Sequence, residues 1–439
     1  MTNLIDLTQS PYAILAPLFF GLSYCFVIAE EFLQLRKSKP MLIGSGILWI
    51  LVALIAQSQT TSPESLKIIS TSLEYYLSEY GQLLLFILVA MTYVNVMQEY
   101  NVFYYLQDKL TQKKLSFRQL FWITGILTFF ISSIADNLTT AIALSSVVIA
   151  VAKLQNATNH RTFLTLACLN VVIAANAGGV FSPFGDITTL MVWQAGILPF
   201  TTFLKLFFPA VINFLIPAIC MHFAIPKGCP IRQNEEISLK PGAITIIVLF
   251  LFTIFFTVVL RHFLNLPPVI GMMFGLGILQ VFAYYSRFSE RVETFNIFPI
   301  IQRVEWDTLL FFYGVILSVG ALSTLGYFSF LSNFLYTENS PTLANTLIGI
   351  LSALVDNIPV MYAVITMNPS MSEGQWLLVT LTTGVGGSLL AIGSAAGVAL
   401  MGQARGVYTF FSHLKWSMVI LLGYFASIVF HLWWNADLF

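Results

Sequence analysis

Three carboxylates stand where an apolar chain should not carry them. Asp136, Asp186 and Asp356 each lie within a long apolar run, whereas the other acids fall at or beyond the ends of such runs. An aspartate at the centre of a membrane helix costs about 2.5–3.5 kcal/mol, and no Lys or Arg lies at similar depth in the runs to offset it. A buried acid without a basic partner is held either protonated or against a cation. The neighbouring residue types suit a hard monovalent cation, which takes oxygen ligands by analogy with calcium and magnesium. Asn137, Thr139 and Thr140 follow Asp136. Asn176 and Ser182 precede Asp186, and Thr188 and Thr189 come after it. Asn357 follows Asp356, and Ser394 sits in the glycine-rich stretch GVGGSLLAIGSAAG. Any one of these hydroxyls alone would ordinarily bond back to a helix carbonyl. Clustered beside aspartates, they point to cation and proton binding, with Asp136, Asn137, Asp186 and Asp356 as the candidate ligands of the ion.

The elements that must position these groups are membrane helices. Of the 439 residues 57% are hydrophobic and 9% charged, against about 25% charged in soluble domains. Net charge is zero, which removes nucleic acid as a partner. Cys25, Cys168, Cys220 and Cys229 form no CxxC or Cys/His cluster, so neither a metal site nor a disulfide framework is signalled. The N-terminus MTNLIDLTQSPY lacks the basic region of a signal peptide, so the first apolar run is expected to be retained. A spanning helix needs about 20 apolar residues. Uninterrupted runs cover 12–28, 41–57, 82–97, 200–224, 243–260, 269–285, 306–335 and 414–434. Runs 163–199 and 376–411 are interrupted by Gly, Ser and Pro, and 119–152 and 342–367 carry an Asp-Asn pair near the middle. His160, His222, His262, His413 and His431 stand near run ends, where interfacial anchoring is the expected role.

Basic residues set the orientation. All of the 20 Lys and Arg except Lys67, Lys205 and Arg261 fall on one face, provided that 119–152 enters and returns. Two short spans or a re-entrant hairpin both satisfy that condition. The second such segment, 342–367, is too short for two spans, which favours hairpins at both places. The expected fold is therefore an all-α polytopic membrane protein with ten spans, two re-entrant hairpins and two broken helices, both termini facing outward. The order of elements repeats: residues 1–225 form one half, 226–241 a cytoplasmic linker and 242–439 the other. Five crossings per half invert the second relative to the first. SIADNLT matches ALVDNIP, and Gly178-Gly179 with Gly185-Asp186 matches Gly386-Gly387 with Gly393-Ser394. Inverted repeats with broken helices are a secondary-transporter architecture, with the site at the repeat interface.

The segments SSIADNLTTAIALS, NVVIAANAGGVFSPFGDITTLMVWQAG and LSALVDNIPVMYAV resemble the NhaD-type sodium/proton antiporters of the ion transporter superfamily. The resemblance implies sodium and lithium export driven by proton entry, on the fold shared with dicarboxylate and arsenite transporters. On matching positions it marks Asp136, Asn137, Thr139, Asp186, Thr188, Asp356 and Asn357 as site residues. Ser394 stands where the first half has Asp186, which leaves the number of ions per cycle open.

The expected function is sodium or lithium exchange for protons at a bacterial inner membrane, without a cofactor. The bilayer and the transported ions are the partners, and a homodimer is allowed. The alternative is an anion or sodium-coupled dicarboxylate transporter of the same fold. An enzyme is not expected, since neither HExxH nor GxSxG occurs.

Overall fold

A computed structural model describes residues 10, 12–33, 35–59, 63–112, 115–152, 158–228, 238–288 and 295–439. Cys229 and most of the 226–241 linker lie outside the described residues. Every regular element among them is a helix. Among the described residues eight helices are long and apolar enough to cross a membrane: Ser38–Ser58, Ile69–Glu99, Arg161–Gly179, Phe200–Ala224, Ala243–Leu264, Pro268–Ser286, Trp306–Leu325 and Ser417–Trp434. The chain is a polytopic all-α membrane protein.

Several runs differ from their sequence-based bounds. The run 306–335 is divided at Gly326, which turns left-handed at φ 104° between Trp306–Leu325 and Tyr327–Ser332, a conformation that glycine adopts without a Cβ clash. The run 12–28 forms a helix only over Leu15–Ile28, 14 residues. The run 82–97 extends in both directions into Pro63–Glu99, 37 residues, about 55 Å long. Its apolar part, Ile69–Glu99, contains Glu74 and Glu79, so the three aspartates are not the only acids within spans. Two histidines also depart from expectation: His413 and His431 are fully buried and bonded to backbone carbonyls.

The chain forms two compact units interleaved in sequence. One comprises Met1–Leu85, Glu305–Ala344 and Ile358–Met371, the other Phe86–Val304, Asn345–Asn357 and Ser372–Phe439. In the first unit, helix Ser38–Gln59 packs along Trp306–Leu325. Trp49 Nε1 donates to the Leu317 carbonyl at 2.9 Å, Ser38 donates to Asp307, and Gly314 lets the Met41 backbone approach.

The candidate site residues all lie in the second unit. The segment 119–152 forms two arms, Phe117–Ser132 and Asn137–Ala152. A capping box of Ser116 and Gln119 starts the first arm, and a turn that places Asp136 at φ 36° separates the two. The segment 342–367 likewise gives Pro341–Leu351 and Asn357–Met367, 11 residues each. Each of these arms is about 16 Å long, half of the roughly 30 Å hydrocarbon core. The interrupted runs resolve into Thr158–Gly179 followed by Ile187–Gln194, and Glu373–Gly386 followed by Ala395–Gln403.

The contacts of these elements recur. Ser132 Oγ donates to the Ala175 carbonyl at 2.6 Å, and Ser352 Oγ to the Thr383 carbonyl at 2.8 Å. Gly178 faces the Phe129 carbonyl as Gly386 faces that of Gly349, and Gly179 meets Gly185 as Gly387 meets Gly393. Asp186 and Ser394 cap the second half-helices from nearly the same backbone, φ −139° ψ 138° and φ −142° ψ 149°. These approaches require the glycines. A Cβ on Gly386 would overlap the Gly349 carbonyl oxygen, with backbone on both sides and no side chain to yield. Gly386→Ala is expected to cost about 1–3 kcal/mol. A drop in melting temperature of the detergent-solubilised protein would register this, and an unchanged melting curve would contradict the close approach.

Candidate cation site

Asp186 is the centre of the arrangement. It is 2% exposed and ends the break between Thr158–Gly179 and Ile187–Gln194. One carboxylate oxygen accepts from Thr188 N–H at 2.8 Å and Thr188 Oγ1 at 2.9 Å. The other accepts from Asn137 Nδ2 at 3.2 Å and Asn357 Nδ2 at 3.3 Å. These two amides stand at the starts of the second arms of the two Asp-Asn segments, so both turns converge on one carboxylate. A Cβ on Gly384 of the second broken helix would lie 3.6 Å from Asp186 Oδ2. Asp136 and Asp356 directly precede the two amides in the chain.

The network continues away from Asp186. Asn137 Nδ2 also donates to Asn176 Oδ1 at 3.1 Å. Asn176, fully buried, donates to Ser388 Oγ at 2.8 Å and Ser394 Oγ at 3.0 Å. Four neutral side chains therefore join the Asp186 carboxylate to the break of the second broken helix.

The other candidates take different positions. Asp136 is half-buried and accepts from Leu138 N–H at 2.8 Å, Thr139 N–H at 3.3 Å and Thr139 Oγ1. Its own N–H donates to the Phe184 carbonyl at 3.3 Å, which ties the turn to the break beside Asp186. Thr140 Oγ1 bonds back to the Ala135 carbonyl at 2.9 Å. Ser182 Oγ accepts from Phe184 N–H at 3.3 Å. These two hydroxyls serve the local backbone. Asp356 is half-buried beside the buried Asn357. Ser388 was not among the sequence candidates, although it follows Gly386-Gly387 directly. Its counterpart in the first half is Val180, so comparison of the halves conceals it.

The buried carboxylate meets only neutral donors. Its donors are two amides, one backbone N–H and one hydroxyl. Broken helices meeting over such a group in an all-helical, multi-pass membrane protein define a secondary transporter. The chain belongs to the citrate transporter family, whose sequence profile matches residues 24–384, and within it to the NhaD-type antiporters. It is 50% identical to the Na(+)/H(+) antiporter NhaD of Alkalimonas amylolytica over 99% of this chain and 93% of that protein. Identity is 51% to the protein of the same name from Vibrio cholerae, over 99% and 94%. Sodium/proton antiporter 1 of Arabidopsis thaliana is 33% identical over 94% of this chain and 71% of its own length.

Proposed function

We propose that this chain exchanges sodium or lithium for protons across a bacterial inner membrane. The observation that carries the reading is Asp186: a fully buried carboxylate whose hydrogen-bond partners, Asn137, Asn357 and Thr188, are all neutral. The likeness to proteins named as sodium/proton antiporters supports it. A proton or a monovalent cation neutralises the site, and the two compete for it. When the cation enters, a half-turn of the Asn137 and Asn357 amides presents Oδ1 in place of Nδ2. Asn176 then turns as well, donating to Asn137 and accepting from the Ser388 and Ser394 hydroxyls. Asp136 and Asp356, half-buried on either turn, lie at the approaches to Asp186. Thr139 holds the Asp136 carboxylate, while Thr140 and Ser182 set the backbone around it. A neutralised site crosses the barrier readily and a charged one does not, so exchange needs no covalent step and no resident cofactor.

The same reading takes the two Asp-Asn segments as re-entrant hairpins and the two halves as inverted repeats. The recurring contacts of Ser132 and Ser352, and of Gly178 and Gly386, support that division.

The family description names citrate, which would demand a site for an anion. A helix N-terminus attracts anions, but at Ile187 that position is filled by the protein's own Asp186. Proteoliposomes with an internal pH dye decide the matter. After a pH gradient is imposed, sodium or lithium is expected to collapse it and citrate is not. Citrate-dependent flux with no response to sodium, lithium or potassium across a range of pH would overturn the proposal.

A further inference from the structure

The two breaks differ in what satisfies the first carbonyl after the glycine pair. After Gly178-Gly179 that carbonyl belongs to Val180, and Thr189 Oγ1 of the same broken helix donates to it at 3.3 Å. After Gly386-Gly387 it belongs to Ser388, and the residue in the place of Thr189 is Gly397, which has no hydroxyl. His413 supplies the partner from beyond the broken helix, with Nε2 at 2.9 Å from the Ser388 carbonyl oxygen. Ser417 Oγ donates to the next carbonyl, that of Leu389, at 2.7 Å. Carbonyls left open at a helix end must find such partners.

The position of His413 is itself fixed. A capping box of Thr409 and Ser412 starts the short helix Phe410–Leu414. The ring is fully buried, and its Nδ1 lies 2.7 Å from the hydroxyl of Tyr408, which is also buried. The Ser388 carbonyl can only accept, so Nε2 carries the hydrogen. A neutral ring, which full burial favours, then accepts the Tyr408 O–H at Nδ1. Both nitrogens are used and one tautomer is selected.

We propose that His413 is a positioning residue for the cation site. It holds the unwound backbone at Ser388, so that Ser388 Oγ stays in reach of Asn176 and the chain of amides to Asp186 keeps its geometry. The link to transport rests on the reading of Asp186 as the cation site; the hold on Ser388 does not.

The test compares wild type with His413→Leu, His413→Gln, Tyr408→Phe and Asp186→Asn. Two quantities are measured: half-saturating sodium in proteoliposomes, and amide hydrogen exchange over 386–394 in detergent. His413→Leu is expected to raise half-saturating sodium about tenfold, the scale of one buried hydrogen bond, and to speed exchange over 386–394. His413→Gln, whose amide can donate to the same carbonyl, is expected to restore most of both. Tyr408→Phe is expected to fall between them. A folded His413→Leu protein with unchanged sodium dependence and unchanged exchange overturns the proposal. If His413→Leu does not fold, the same two readings on Tyr408→Phe decide it, and no change in either overturns it. Faster exchange in His413→Leu, together with undiminished sodium transport in Asp186→Asn, would uphold the hold on Ser388 and place the fault in the reading of Asp186.

Discussion

Asp186→Asn is expected to abolish sodium-dependent proton movement while leaving the protein folded. The substituted amide keeps an oxygen for the Thr188 N–H and hydroxyl, which bond to Asp186 Oδ1 at 2.8 and 2.9 Å. It carries no charge, so it neither neutralises a bound cation nor exchanges a proton. The cation then enters the site with its charge uncompensated, at a cost on the scale of about 2.5–3.5 kcal/mol, or roughly a hundredfold in rate. Stability should move the other way. A carboxylate buried among neutral donors is costly to desolvate, so the melting temperature of Asp186→Asn should equal or exceed that of the wild type. Initial rates of gradient collapse in proteoliposomes and a detergent melting curve measure the two effects. Exchange at the wild-type rate in a folded Asp186→Asn protein would remove Asp186 from the centre of the mechanism.

The helical architecture and the two glycine-bounded breaks were legible in the sequence because each leaves a one-dimensional mark: an apolar run, an Asp-Asn pair at its middle, or Gly-Gly followed by Gly-Asp or Gly-Ser. Hydropathy does not register where a helix ends inside an apolar stretch. The run 306–335 shows this, since only the left-handed Gly326 closes the helix at Leu325. Nor does it register depth. Glu79 lies outside the apolar core of 82–97, yet the helix runs on from Pro63 to Glu99 and places it inside a candidate span. His413 fails as an interfacial anchor for a related reason. It stands at the end of a run in sequence, while the backbone at Ser388 covers it in space.

The site shows a second limit. Comparison of the two halves identified Asn137 with Asn357 and Asp186 with Ser394, and the structure brings all four into one network. The same comparison is blind to residues that the network needs on one side only. Asn176 aligns with Gly384 and Ser388 with Val180, so Asn176 stands out only by its place before Asp186, and Ser388 not at all. The asymmetry has a physical reason. One buried carboxylate needs donors from both turns, but the space opposite it must be filled by neutral groups. A second carboxylate at the position of Ser394 would place like charges at the two ends of the Asn137–Asn176 amide chain.

Asn176 provides the sharpest test of that arrangement. It accepts from Asn137 at 3.1 Å and donates to Ser388 and Ser394 at 2.8 and 3.0 Å, all without exposure to solvent. Asn176→Leu keeps the branched shape and the number of heavy atoms and removes all three bonds, leaving an amide and two hydroxyls to compete for fewer partners. Each buried polar group left unsatisfied costs about 1–3 kcal/mol, and in the proposed cycle the amide must reverse when the cation enters. Half-saturating sodium is therefore expected to rise at least about tenfold in Asn176→Leu, with the melting temperature also lowered. Asn176→Gln separates the two effects, because it preserves donor and acceptor but shifts both by one methylene. If the network acts through geometry, Asn176→Gln should stay folded and still lose sodium affinity. If both variants bind sodium like the wild type, Asn137 and Asn357 present oxygen to the cation without help from Asn176, and the chain from Asp186 to the second broken helix is only structural.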